Sequence, residues 1–248
     1  MAMSEPRDVW FLYHVPKTGG QTLRNHVRAR LGATAHLNLG RWSPEDPPVE
    51  ASTWTEVLEH ADPAAVRVLT GHFVERSGTS LFPAARVREV LVLRDPLARL
   101  VSNWRYACWS WPKRGWRTPT FGEFAAQQGR DPMTAWVGRL IGERRPWMAL
   151  DAALYALEGM TVVTVLEDLD RVTPSLLAAM GLGGELPSRA NRAGVDYAAP
   201  DPPDVGELER ALERLHGDVI LHRAAAARTA VSIERLSAIA EGASSPEG

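Results

Sequence analysis

Apolar and polar positions alternate along this chain in blocks rather than residue by residue. Four short runs, VWFLYHV (9–15), AVRVLTGHF (65–73), VREVLVLRD (87–95) and MTVVTVLEDL (160–169), are nearly continuous apolar stretches bounded by charge, glycine or proline. That pattern predicts strands buried on both faces of a parallel sheet. Between them the apolar spacing becomes helical. Leu23, Val27 and Leu31 share one face of a helix over 20–31, and WTEVLEHA (54–61) reads as a short helix capped by Ser52 or Thr53. Pro96 opens a helix running to about residue 108. FGEFAAQQ, MTAWVGRLIG and PWMALDAALYALEG give three more, and TPSLLAAMGLGG gives one stopped by glycines. Residues 204–242 read as helical with a break at Gly217, their stripe Leu208, Leu212, Leu215, Val219 and His222 packing on the core. Residues 35–53 and 185–204 read as connections, and 1–8 and 242–248 as disordered tails. Strands alternating with helices predict an α/β chain, one domain over 1–248 with a central parallel β-sheet flanked by helices. Ligands of such sheets bind outside the carboxyl ends of the strands.

Composition narrows the function classes. The chain has 248 residues and a formal net charge of -2, so it carries no basic footprint for nucleic acid. Any anion site must be a local concentration of positive charge. Cys108 is the one cysteine, which excludes an internal disulfide and a thiolate metal cluster and points to a reducing compartment. No basic segment leads into an apolar one near the start, and the run at 9–15 is too short to span a bilayer. A cytoplasmic protein without a membrane role is expected. No histidine pair has metal-ligand spacing, so no metal is expected.

The most loaded stretch is HVPKTGGQTL (14–23). Lys17, Thr18, Gly19, Gly20, Gln21 and Thr22 lie where a buried strand becomes a helix. The first N–H groups of a helix have no intrahelical partner, and its dipole favours negative charge. Glycines allow close approach to the backbone, Lys17 adds a point charge, and the hydroxyls of Thr18 and Thr22 add donors. The lysine precedes the glycines, unlike the GxxxxGK[ST] order of nucleoside triphosphatases, so the loop is P-loop-like rather than a P-loop. A tight turn with a solvated lysine is the plain alternative. After the third strand, VLVLRDPLARLVSNW places Arg94 at the strand end and Ser102 two turns into the next helix. Together they can clasp a second phosphate. Asp95 and Arg99, four apart, can pair on that helix.

The two stretches together resemble the sulfotransferases that use 3′-phosphoadenosine 5′-phosphosulfate (PAPS), in the branch of heparan sulfate O-sulfotransferases and their bacterial relatives. TGHF before VREVLVLRDP, FGEF and GRLIG after it, and VLEDLDRV follow that family's order over roughly residues 9 to 225. The resemblance implies that Lys17, Thr18, Gly19, Gly20, Gln21 and Thr22 hold the 5′-phosphosulfate and that Arg94 and Ser102 hold the 3′-phosphate. Gln21 departs from the Ser or Thr usual in the family, though an amide still donates to a phosphate oxygen. The implied activity is in-line transfer of the sulfuryl group to a hydroxyl of a carbohydrate or small-molecule metabolite, in a cytosolic, bacterial setting.

Such a transfer needs a base for the acceptor proton and a cation at the leaving group. Lys17 suits the second. His72 in TGHF suits the first, with an ordinary pKa of about 6.5 and the position of the family's histidine base. Glu167 is the reserve base, while Asp168 reads as a cap for the following helix. His14 reads as a core or supporting residue and His26 as solvent-facing. NWRYACWSWPKRGWRTPTF (103–121) gathers four tryptophans, a tyrosine and several cations, either as an acceptor wall or as a lid packing its tryptophans on the sheet. Loops 36–53 and 73–81 are further acceptor walls. A magnesium-dependent kinase relying on Asp95, and a non-catalytic nucleotide-binding protein, remain as alternatives.

Overall fold

The apolar run at 9–15 becomes the central strand because both of its faces find apolar partners. In the computed structural model, which describes residues 6–39, 62–72, 74, 76–183 and 200–244, the chain is α/β with one five-stranded parallel sheet. Its strands are β1 (Asp8–Tyr13), β2 (His36–Leu39), β3 (Val68–Gly71), β4 (Arg86–Leu93) and β5 (Val162–Val165), in the order β2-β3-β1-β4-β5. In register, Phe11 lies beside Leu69 of β3 and Glu89 of β4.

The described helices are α1 (Gly20–Ala35, kinked at Gly32), α2 (Pro96–Ser110), α3 (Phe121–Gln127), α4 (Pro132–Leu140), α5 (Ala149–Gly159), α6 (Leu169–Ala179), α7 (Val205–Leu212), α8 (His216–Ala227) and α9 (Thr229–Ser244). Alternate residues of β1 divide the core. Val9, Phe11 and Tyr13 pack with Met133 and Val137 of α4, Ala153 and Leu157 of α5, and Leu221 of α8. Trp10 and Leu12 pack with Leu23 and Val27 of α1, Val172 and Leu176 of α6, and Leu236 of α9. Burying a side chain such as Phe11 fully contributes roughly 1.5–3 kcal/mol. No helix among the described residues is long and apolar enough to cross a membrane.

Several boundaries differ from the sequence expectation. Residues 36–39 form edge strand β2 instead of a loop, and residues 40–61, with the helix expected at 54–61, lie outside the described residues. The expected break at Gly217 does not occur there, because Gly217 is the second residue of α8. Its missing Cβ is needed for packing, since one would lie 2.9 Å from the Asp131 carboxylate. The chain instead turns between Leu212 and His216 and again at Arg228. The sheet already begins at Asp8, and Arg7 holds the Val66 and Pro63 carbonyls, so these two residues belong to the fold rather than to a tail.

The order of the strands sets the position of any site. From β1 the chain crosses to β2 on one side, while from β4 it crosses to β5 on the other. The crevice between the carboxyl ends of β1 and β4 is therefore the topological switch point, where ligands of open α/β sheets bind.

Candidate functional site

The loop leaving β1 is fixed on one side by two arginines, Arg94 from the turn after β4 and Arg99 from the first turn of α2. Arg99 Nε donates to the Pro16 carbonyl at 3.1 Å, and Arg94 Nη1 donates to the Lys17 carbonyl at 3.2 Å. In a trans peptide the N–H points opposite to the C=O. The N–H groups of Lys17 and Thr18 therefore face away from the arginines. Lys17 has φ 70° and Gly19 φ 84°, both left-handed, which for Lys17 costs about 1–2 kcal/mol. Residues 15–18 form a tight turn that aims Thr18 N–H back at the Val15 carbonyl, while the N–H groups of Lys17, Gly19 and Gly20 find no acceptor among the described residues. Successive N–H groups in such a turn at a helix start form a concavity for an anion.

Two expectations about the loop are corrected. The Thr18 hydroxyl is not a spare donor: it donates to the Val15 carbonyl at 2.9 Å and the residue is 1% exposed. Both its side chain and its N–H turn toward the Val15 carbonyl and close the turn. The glycines are demanded by the protein itself, not only by a ligand. A Cβ on Gly19 would run into the Leu166 side chain, and one on Gly20 would lie 2.6 Å from Cδ2 of His14. Gln21 and Thr22 belong to α1, and their side chains fall outside the described residues.

Positive charge collects beside the loop. The Lys17 ammonium sits 4.7 Å from the centre of the Tyr106 ring. Burial, and then the charge of Arg94, hold Lys17 below the ordinary lysine value. An incoming anion would relieve both effects. Ser102 stands half-buried in α2. The expected Asp95–Arg99 pair is not formed. Asp95 caps α2 by accepting from Ala98 N at 2.8 Å, and Arg99 turns into the protein. Glu167 accepts from Asp95 N at 3.1 Å and lies 3.4 Å from His222 Nε2. Asp168 occupies the N-cap position of α6 but makes no capping bond, pairing instead with Arg171 at 3.0 Å.

His72 follows β3, directly beside the start of the loop. Its Nδ1 lies 2.7 Å from the His14 carbonyl oxygen. A carbonyl only accepts, so Nδ1 carries the proton and Nε2 keeps the lone pair. The two rings stack with centroids 4.2 Å apart. Burial lowers the pKa of His72 and the charge of Arg24 adds to this, against the opposing effect of its bond to His14. His14 is pushed down to about 3 by burial first, then by His72, Arg24 and Lys17. His36, bonded to the Thr70 hydroxyl at 2.9 Å, falls to about 4, mainly through burial. These histidines are neutral near pH 7. Arg76, four residues past His72, clamps this exit from β3 through a two-pronged bond to Glu89 at 2.7 and 2.8 Å.

Sequence reasoning understated His14. Its Nδ1 is buried without a partner among the described residues, a condition that costs about 1–3 kcal/mol, and its ring and carbonyl both hold His72. The signal was its place at the end of an apolar run, two residues before the proline of the loop. His26 is buried, not solvent-facing, with Arg30 2.6 Å away.

The tryptophan-rich segment packs on helices rather than on the sheet. Trp104 meets Phe121 edge-on at 5.5 Å, in a satellite core with Ala211 and Leu215, and Trp111 packs on Phe124. The ring of Tyr106, which lies against Lys17, is 5.7 Å from that of Trp109, and the Lys113 ammonium sits over Trp109 at 3.5 Å. Of the expected acceptor walls, residues 40–53, 73 and 75 lie outside the described residues, and Arg76–Leu81 is a 3-10 helix. No family model matches the chain, and no curated protein matches it.

Proposed function

We propose that the protein is a sulfotransferase that binds PAPS at the switch point between β1 and β4 and acts on a hydroxyl of a carbohydrate or small-molecule metabolite in the cytosol. The observation that carries this reading is the set of N–H groups of Lys17, Gly19 and Gly20, without acceptors among the described residues and flanked by the cations of Lys17 and Arg94. Backbone donors with fixed positive charge suit a phosphosulfate. Arg94, half-buried at the end of β4, and Ser102 on α2 supply a second donor pair suited to a 3′-phosphate. When bound, the nucleotide would supply the sulfuryl group for transfer to the acceptor oxygen.

The chain's own residues divide the remaining work. Lys17 places positive charge where a leaving phosphate gains negative charge. His72 takes the acceptor proton at Nε2, because its Nδ1 is committed to the His14 carbonyl. Its lowered pKa keeps it in the basic form at neutral pH. Glu167 is the weaker base, since one oxygen already holds Asp95 N. A non-catalytic binder would show a buried histidine remote from the loop. Here His72 is half-buried and stacked on the residue that opens the loop.

Thermal melting in EDTA tests the reading. Adenosine 3′,5′-bisphosphate should raise the melting temperature and 5′-AMP should do so much less. Stabilisation by ATP alone, restored by magnesium, would point to a kinase instead.

A further inference from the structure

Histidines aside, the buried charged side chains among the described residues are Arg99, 5% exposed, and Asp218, 0% exposed. Burying a charge is costly unless it is compensated. Burial lowers the pKa of Arg99 and raises that of Asp218, and the charge of each works against the shift of the other. Both are also anchored. The Asp218 carboxylate accepts from Met133 N at 3.1 Å and Thr134 N at 2.6 Å, in the first turn of α4, and its own N–H donates to Asp131 at 3.0 Å. Arg99 Nε holds the Pro16 carbonyl at 3.1 Å. Asp218 thus ties α8 to the start of α4, and Arg99 ties α2 to the peptide that opens the anion loop.

We propose that Arg99 is a positioning residue of this loop. By holding the Pro16 carbonyl it turns the N–H of the same peptide, that of Lys17, toward the 5′-phosphate group of the ligand; this rests on the nucleotide reading above. Arg94 holds the next carbonyl, but it stands half-buried and contributes its own charge to the site. Arg99 acts from inside the protein, through the backbone. The left-handed conformation of Lys17 is the local feature that these two bonds maintain.

A comparison of two nucleotides separates positioning from general damage. Adenosine 3′,5′-bisphosphate engages the loop through its 5′-phosphate, while adenosine 3′-monophosphate lacks that group. Calorimetric titration of Arg99→Met should show at least about tenfold weaker binding of the bisphosphate, a factor equal to ~1.4 kcal/mol, with little change for the 3′-monophosphate. Arg99→Lys keeps the buried positive charge but not the Nε donor. It should melt close to wild type and still lose affinity for the bisphosphate alone, so it carries the test if the methionine variant does not fold. Equal weakening toward both nucleotides, or wild-type affinity for the bisphosphate in Arg99→Lys, would overturn the proposal. If the wild-type protein binds neither nucleotide, the nucleotide reading itself fails, and the proposal fails with it before any variant is compared.

Discussion

Alanine at position 20 would test the coupling between the loop and the histidine pair. Its Cβ would lie 2.6 Å from Cδ2, 3.0 Å from Nε2 and 3.1 Å from Cγ of the His14 ring. The ring would have to move by about 1 Å to restore ordinary carbon contact near 3.5 Å. It is stacked on His72 at 4.2 Å, so it cannot move without disturbing that stack. Overpacking of this kind costs about 1–3 kcal/mol. Against it, alanine is about 1 kcal/mol better than glycine in a helix, and Gly20 is the first residue of α1 with no positive φ. The net loss is then about 0–2 kcal/mol. At 2–4 °C per kcal/mol for a chain of this size, the melting temperature should fall by no more than about 8 °C. The effect on His72 should be larger than the effect on stability. Nitrogen-detected imidazole NMR of the wild-type protein should show neutral His72 with its proton on Nδ1, and Gly20→Ala should show mixed tautomers. An unchanged His72 spectrum in the variant, or a proton on Nε2 in the wild type, would refute this account of the pair.

Other consequences follow from the same geometry. Lys17→Ala and Arg94→Ala should each weaken adenosine 3′,5′-bisphosphate by roughly tenfold or more, measured by calorimetry, and unchanged affinity in both would remove the nucleotide assignment. With an acceptor in hand, His72→Ala should lower turnover by roughly 10²–10⁴ while sparing nucleotide binding, and near-normal turnover would move the base to Glu167. Acid should destabilise the protein early. His14 and His36 have folded pKa values of about 3 and about 4, below the ordinary 6.5, so their contribution is complete above pH 6.5 and is lost progressively as the pH falls toward those values. Melting temperatures that stay flat from pH 7 to pH 4.5 would contradict that environment.

Much of the sheet was legible because a parallel strand buried on both faces must be apolar along its whole length, as at 9–13 and 90–93. Strand β2 was not legible. Its four residues, HLNL, carry polar groups at alternate positions and sit at the sheet edge, where one neighbour suffices. Gly217 misled because a glycine forced by a neighbouring carboxylate looks the same in sequence as one that ends a helix. In the site, the loop and Arg94 could be read from strand-to-turn punctuation. The roles of Arg99 and Thr18 could not, because both are set by backbone carbonyls with no signature of their own in sequence. For Arg99 the local rule of helix pairing with Asp95 gave way to a tertiary contact.

The most direct measurement of the central claim is calorimetric titration of the purified protein, in EDTA, with adenosine 3′,5′-bisphosphate against 5′-AMP and ATP. The account predicts tight binding that depends on the 3′-phosphate and needs no metal. Equal binding of 5′-AMP, or binding of ATP that appears only with magnesium, would contradict it.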